Sequence, residues 1–429
     1  MKNAFRPGDP VLVLAALGKD MPLPPTAPDT YWVQRREQEQ VNAIVAGLDV
    51  GHYHLLIGDK GTGKTILLLE AMRRVDGDGV SMFEAHGDIE IFRIRLGKAL
   101  DYEFHEDYIG AYFSERGPRD TTALLDIERA LNKLEKVALE RRKEVGRPLV
   151  LIINQMHLIR DNDNGKDLFE LLQQRAEHWA TANLVTIVFN SDEYWVYERL
   201  KKLSTRMEVH SITDLPKQEA LVALSSYRQR YFKEALPHSV QEQIYDRVGG
   251  RLAFLNHVAK FPDVIAACDR IMEVEKTWFL NQCWILGKEM DDDVVDQQKW
   301  ACAAIILATA LVDEEEKMKQ TPSSDPEAGH ILPSFPIHVA QQIITRSDYV
   351  REFNRLNFFS ITSRAEVMPS SVPMYRAFKQ IVAQPGFREH LHATVHRIAD
   401  IESLKRTREL VLKDVVLDDS IRKGGIWRW

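Results

Sequence analysis

Short, uninterrupted apolar runs alternate along the first half of the chain with longer stretches whose apolar positions recur every three or four residues. The clearest are 149–153 and 184–189, whose length and near-continuity suit strands buried on both faces, while 54–57, 80–83 and 207–212, with polar residues among the apolar ones, read as three further short strands. Residues 66–75, 89–100, 121–146, 167–181 and 192–203 carry the helical period. In the longest of these, Leu124, Ile127, Leu131, Leu134 and Ala138 share one face and charges occupy the others. Strand and helix therefore alternate, which predicts an α/β fold: a parallel five-stranded sheet covered by helices on both faces.

The period changes after Pro216. Residues 217–236, 239–248, 251–261 and 262–290 all read as helices with no strand signal between them, an α-helical lid. Asp291-Asp292-Asp293 marks a boundary, and 294–312, 336–345 and 347–356 read as three further helices. A strand at 358–367, a Pro369-Ser370-Ser371 turn and a partner strand from Val372 complete a C-terminal winged helix spanning 291–385. Residues 313–335, rich in acids, Ser, Pro and Gly, read as a flexible insertion. Residues 386–429 form a last helix and tail. Before the sheet, 31–48 reads as a helix with Val41, Ile44, Val45 and Leu48 on one face. Residues 1–30, with one candidate strand at 11–17 and a Pro-rich 22–28, form an arm. The expected domains are thus 31–215, 216–290 and 291–385.

A length of 429 residues fits several cores, and 45% hydrophobic with 28% charged residues describes a soluble globular chain. The net charge of −7 argues against a nucleic-acid footprint over the whole surface. Cys268, Cys283 and Cys302 lack metal-like spacing and suit a reducing compartment, cytoplasmic or mitochondrial matrix. No run is long enough to cross a bilayer; the strongest, 300–312, reads as a buried helix.

Chemistry concentrates between the first strand and the first helix after it. Gly58-Asp59-Lys60-Gly61-Thr62-Gly63-Lys64-Thr65 matches glycine, four residues, then Gly-Lys-Thr, in the strand-loop-helix context that this pattern requires. Such a loop turns successive backbone N–H groups onto a polyphosphate at a helix N-terminus. Lys64 would reach the β- and γ-phosphates, and the Thr65 hydroxyl would face Mg²⁺. The expected ligands are ATP and Mg²⁺.

The strand at 149–153 ends where a nucleotide hydrolase places Asp and Glu, but here Asn154 and Gln155 follow. Asn154 can still face a magnesium-bound water without supplying charge; Gln155 can hold a water but cannot take its proton. Two accounts are open: a naturally slow or inactive ATPase, or a glutamate deliberately replaced by Gln155 to trap ATP. Asn190, at the tip of the next strand, is a candidate γ-phosphate sensor; Ser191 or Asp192 would equally cap the helix that follows. Arg206, in a cluster with Arg199, Lys201 and Lys202, is a candidate arginine finger for a neighbour's nucleotide, against a solvated basic face. Gly249-Gly250-Arg251 opens a lid helix from which Arg251 could report phosphate state. Asp161, Asp163 and Gly165 imitate a calcium loop but lack its closing glutamate, and His86 and His157 suit capping roles. Around the winged helix, Asp348, Glu352 and Glu366 interleave with Arg346, Arg351, Arg355 and Arg364, which favours a packing or partner surface over a DNA-reading helix.

Together the phosphate loop, the Asn154-Gln155 strand tip, Asn190, Gly249-Gly250-Arg251 and the winged helix resemble the AAA+ superfamily of P-loop NTPases. The chain is most similar to its archaeal-ATPase and STAND-like branch and to fungal AAA proteins with a C-terminal winged helix; Arg36-Glu37 also resembles the first helix of that branch. The resemblance implies an ATP-binding module with a helical lid, often assembled in rings. The expected function is an oligomeric ATP-dependent remodeller or assembly factor meeting a protein partner through its lid or winged helix. The rivals are a hydrolysis-deficient nucleotide switch or scaffold and an initiator-like DNA-binding ATPase.

Overall fold

A computed structural model of the chain describes residues 1–8, 33, 35–104, 122–287, 290, 292–319, 330–344 and 346–422. The candidate strand at 11–17, the Pro-rich stretch, residues 105–121 and the final Trp427-Arg428-Trp429 lie outside these. The chain divides into two compact units, one built largely on residues up to Ala267 and the other on those from Cys268.

In the first unit, β1 (Tyr53–Ile57), β2 (Val80–Glu84), β3 (Leu149–Asn154), β4 (Val185–Ser191) and β5 (Met207–Ser211) form one sheet in the order β2-β3-β4-β1-β5. Every pairing is parallel. β1, β3 and β4 are buried throughout, as their largely apolar sequences suit, while β5 is a half-buried edge strand. Helices Lys64–Arg74, Ile89–Ala99, Ala123–Val145, Asp163–Ala182 and Tyr194–Lys201 connect or cover the strands. Several start on side-chain caps: Asp88 accepts from the Glu90 N–H, Thr122 from Leu125 and Asn162 from Gly165. The helix Gln38–Val45 is shorter than the expected 31–48: it presents Val41, Ile44 and Val45 as read, to Leu56, Leu67, Leu68, Val150 and Ile152, but Leu48, read on the same face, lies beyond its end and is exposed. Phe5, in a short 3₁₀ turn at Lys2–Phe5, is buried, and its carbonyl accepts from the Gly79 N–H before β2. Asp161 and Asp163 flank the Asn162 cap of a helix, with no metal-binding cluster there among the described residues.

The lid helices Lys217–Phe232, His238–Val248 and Leu252–Ala259 follow, with no strand among them. Arg228 is buried there, donating to the carbonyls of Ala259 and Phe261 with its guanidinium over Phe232. The next helix, Val264–Gln282, leads into the second unit.

The second unit holds the winged helix: helices Val295–Lys319, Ile337–Ile344 and Ser347–Arg355, with a three-stranded sheet of Phe335–Pro336, Glu366–Pro369 and Phe359–Ile361. Two sequence expectations need correction. The wing turns at 362–365, and the segment from Val372 is a helix, Val372–Val382, because Ser371 caps it by accepting from the Met374 N–H and Pro373 lies in its first turn. Residues 313–319 are helical and not part of an irregular insertion. Their acids are matched by bases, Asp313 by Arg388, Glu315 by Lys379 and Glu314 by Lys317; 320–329 lie outside the described residues. Phe279, Trp300, Phe353, Phe358, Phe359 and Phe378 form a continuous aromatic core.

At the N-terminal end of the first sheet, Glu177 ties β1 to the approach to β5. It accepts from the Tyr53 hydroxyl at 2.9 Å, from the Thr205 N–H and hydroxyl at 2.7 and 2.5 Å, and from the Arg206 N–H at 3.3 Å. Partial burial pushes its pKa up, but the Thr205, Tyr53 and Arg206 hydrogen bonds outweigh this and hold it below the ordinary 4.5. A depressed carboxylate stabilises the folded state above the unfolded pKa and loses that contribution as pH falls through the folded one. Thermal midpoints should therefore drop as pH is lowered from about 4.5, and Glu177→Gln should be less stable at pH 7 with a flatter acid limb. Equal slopes in both proteins would refute this role.

Candidate functional site

The C-terminal ends of β1, β3 and β4 converge on the loop that follows β1, the position where open parallel sheets bind ligands. The loop turns directly into helix Lys64–Arg74, with Gly63 before it at φ 102°. A side chain at that φ is strained, and a Cβ there would also lie 2.7 Å from Leu252 of the lid. Thr62 donates its hydroxyl to the Asp59 carbonyl at 2.9 Å, closing the loop on itself. Lys60, by contrast, is exposed.

Lys64 is 4% exposed. Its ammonium donates to the carbonyls of Gly58 and Asp59, each at 2.8 Å, and pairs with Asp192 at 2.8 Å. Burial lowers its pKa from the ordinary value, Asp192 and Asp59 oppose that, and Arg251 adds to it. Asp192 follows β4, and its backbone N–H donates to His157 Nδ1 at 3.2 Å, which sets His157 in an orienting role. Burial lowers the His157 pKa; Asp192 opposes this, and Lys64 and Lys60 add to the lowering.

The Ile153–Phe189 register brings Asn154, at the tip of β3, beside Asn190 on β4. The Asn190 amide donates to Asn154 Oδ1 at 2.5 Å and lies 3.4 Å from the Thr65 hydroxyl, which is itself 3.4 Å from Asn154. Asn154 Nδ2 and Asn190 Oδ1 are buried and have no hydrogen-bond partner. Gln155 follows in the left-handed region, φ 57° and ψ 45°, a conformation that costs a non-glycine residue about 1 kcal/mol or more.

Arg251, 3% exposed, lies against the phosphate loop: its guanidinium bonds Asp59 at 3.1 Å and Asp214 at 3.0 and 3.2 Å. The lid reaches this point because Gly250 lets two backbones touch; a Cβ there would lie 2.0 Å from the Leu215 carbonyl oxygen. The Ala253 N–H donates to the Gly61 carbonyl at 3.1 Å.

The structure therefore groups Gly58, Asp59, Gly61, Thr62, Gly63, Lys64, Thr65, Asn154, Gln155, Asn190 and Arg251. Arg206 is elsewhere: it precedes β5, at the opposite end of the sheet, exposed, with its guanidinium 3.4 Å from the Gly51 carbonyl. Sequence reading overlooked Arg35, which is 4% exposed and donates to the Thr62 carbonyl of the loop and the Thr213 carbonyl beyond β5. Its neighbour Arg36 is exposed and pairs with Glu219. Nothing in the Arg35-Arg36 pair distinguishes them, since burial depends on how the chain enters the following helix. The pairing of Asp192 with Lys64 was equally hidden, because a residue after a strand reads first as a helix cap.

With this arrangement in view, comparison with known proteins is decisive for the family. Residues 31–187 match the AAA ATPase domain, and 281–402 match the C-terminal winged helix domain of fungal AAA proteins. The chain is an AAA protein. No curated protein sequence matches it. Among solved structures, a Walker-type ATPase of Pyrococcus abyssi shares the fold with a TM-score of 0.50 at 12% identity, over 82% of this chain and 99% of that one. The Orc1 protein of Aeropyrum pernix in complex with DNA gives 0.38 at 12% identity, over 83% and 95%. The RuvB Holliday junction branch migration motor of Thermotoga maritima gives 0.35 at 12% identity, over 82% and 95%. This AAA protein is accordingly an ATP-binding one, and no helix among its described residues is long and apolar enough to cross a membrane.

A nucleotide phosphate that reached Lys64 would have to compete with the Asp192 carboxylate for its ammonium. Asp192→Asn should tighten ATP binding by about fivefold, the ~1 kcal/mol scale of a partly exposed pair, measured by calorimetry without Mg²⁺. Weaker binding would mean that Asp192 instead holds Lys64 in its binding position.

Proposed function

We propose that the chain is a nucleotide switch: it binds ATP at the phosphate loop and hydrolyses it slowly if at all. The observation that carries this reading is the neutral strand tip. Where hydrolysis needs a carboxylate to polarise water, Asn154 and Gln155 offer only amides, and the Asn154–Asn190–Thr65 cluster holds no charge.

On this reading the residues divide as follows. Loop amides from 58 to 65 and Lys64 cradle the phosphates, with Lys64 exchanging Asp192 for phosphate oxygen. Arg251 does the same with Asp59, so a bound phosphate draws on the lid through Gly249-Gly250. Asn190 lies where it can sense the γ-phosphate, and Arg35 braces the loop through the Thr62 carbonyl. The donors also fit Mg²⁺: the Thr65 hydroxyl and Asn154 carbonyl are adjacent neutral oxygens, suited to an ion that keeps most of its water and takes its charge balance from phosphate. When bound, that ion would neutralise phosphate charge. Transmission through the lid to the winged helix and a protein partner follows.

The test compares ATP binding and turnover in the natural chain, Lys64→Ala, and Asn154→Asp combined with Gln155→Glu. Expected are tight ATP retention lost in Lys64→Ala and turnover below about 10⁻² s⁻¹, some 10²- to 10⁴-fold under ordinary enzymatic rates, the scale of a missing general base. Turnover of about 1 s⁻¹ or faster by the natural chain, abolished by Lys64→Ala, would overturn the switch reading.

A second reading, an oligomeric remodeller, has its own support in Arg206. Positioned by Glu177 at the sheet end away from the loop, it can serve only the site of another subunit. Mass measured with ATP and Mg²⁺ should rise to that of an oligomer, and Arg206→Ala should slow any turnover without weakening ATP binding. A monomeric mass under those conditions removes this reading.

A further inference from the structure

The edge pairing of β1 with β5 gathers a set of groups that nucleotide binding does not use. In the parallel register His54 faces Glu208 and Leu56 faces His210, so the period of two puts His52, His54, Glu208 and His210 on one face. His54 Nδ1 lies 3.0 Å from His210 Nε2 and 3.8 Å from Glu208 Oε2. His52 Nδ1 lies 3.6 Å from the other Glu208 oxygen and 3.7 Å from Asp49.

Only the first of these distances is a hydrogen bond. The others are too long for hydrogen bonding, yet comparable to the spacing of ligand atoms that share a cation about 2.1 Å away. His54 is wholly buried, and His52 Nδ1, which faces Glu208 and Asp49, has no hydrogen-bond partner. A buried polar atom left in this state calls for an explanation that hydrogen bonding within the chain does not supply.

We propose that this face is a binding site for one divalent transition-metal ion of the zinc class, held by His54, His210 and Glu208, with His52 and Asp49 closing its exposed side. Imidazole and carboxylate donors without thiolate suit zinc, cobalt or nickel over magnesium or calcium. The carboxylates of Glu208 and Asp49 balance a charge of two. Forming the site requires the ligand atoms of His54, Glu208 and His210, which lie within 4.8 Å of one another, to draw together. The ion would clip the half-buried edge strand β5 to β1, just before Ile212, Thr213 and Asp214. Those residues lead to the carbonyl held by Arg35 and the carboxylate held by Arg251.

The test uses the full-length chain, stripped with a chelator and free of nucleotide. Zinc alone is titrated against a chromophoric competitor, with cobalt(II) absorption as the spectroscopic readout. Expected are one equivalent of zinc per chain, a raised thermal midpoint, and cobalt d–d bands without thiolate charge transfer. Glu208→Gln and His210→Ala should each weaken binding at least tenfold and abolish the thermal shift. His52→Ala, at a ring 42% exposed, should weaken it less and keeps the test valid if either of the others fails to fold. No stoichiometric binding, affinity unchanged in all of these variants, or a thiolate band would overturn the proposal.

Discussion

A buried cation must be matched by oxygen, and around the phosphate loop this constraint recurs at Lys64, Arg251 and Arg35, each no more than 4% exposed. Lys64 is matched by Gly58, Asp59 and Asp192, Arg251 by Asp59 and Asp214, and Arg35 by the carbonyls of Thr62 and Thr213. These cations and their partners come from the segment before β1, the loop after it, the turn after β4, the segment after β5, and the lid. The loop is thus the common electrostatic anchor of segments that are distant in sequence. On the proposed reading, a phosphate entering the loop would compete with carboxylates for the same cations, coupling binding to rearrangement.

The close approaches that permit this are backbone contacts. Gly250 lies against the Leu215 carbonyl, and Gly61 accepts the Ala253 N–H, so the first turn of a lid helix sits on the loop itself. At the opposite end of the sheet Glu177 organises Tyr53, Thr205 and Arg206 by hydrogen bonds. β5 belongs to both ends: Arg206 precedes it and Asp214 follows it. An edge strand has partners on one side only, and fixing it to β1 would steady both.

Much of the architecture was legible in the sequence because it depends on local rules. The largely apolar runs 54–57, 149–153 and 184–189 became buried parallel strands, and the loop from Gly58 to Thr65 lies where its glycine spacing implies. The winged helix was legible in outline, but its hairpin was misplaced: Ser371 and Pro373 read as a turn between strands when they start a helix. The acids at 313–316 suggested a loop because their bases, Arg388 and Lys379, lie more than sixty residues away.

What the sequence by itself determined is the chemistry offered at each position: a lysine and threonine after a glycine-rich turn, amides in place of acids at a strand tip, and histidines at alternate positions. Periodicity was enough to make these strands and helices, since it reports which face must leave water. Only the tertiary structure decided which of those groups meet. Arg35 and not Arg36 is buried, Asp192 faces Lys64, and His54 meets His210 and Glu208 across a strand pair separated by about 150 residues. Strand order and register set these encounters, and both arise from packing between segments remote in the chain, which no local pattern encodes.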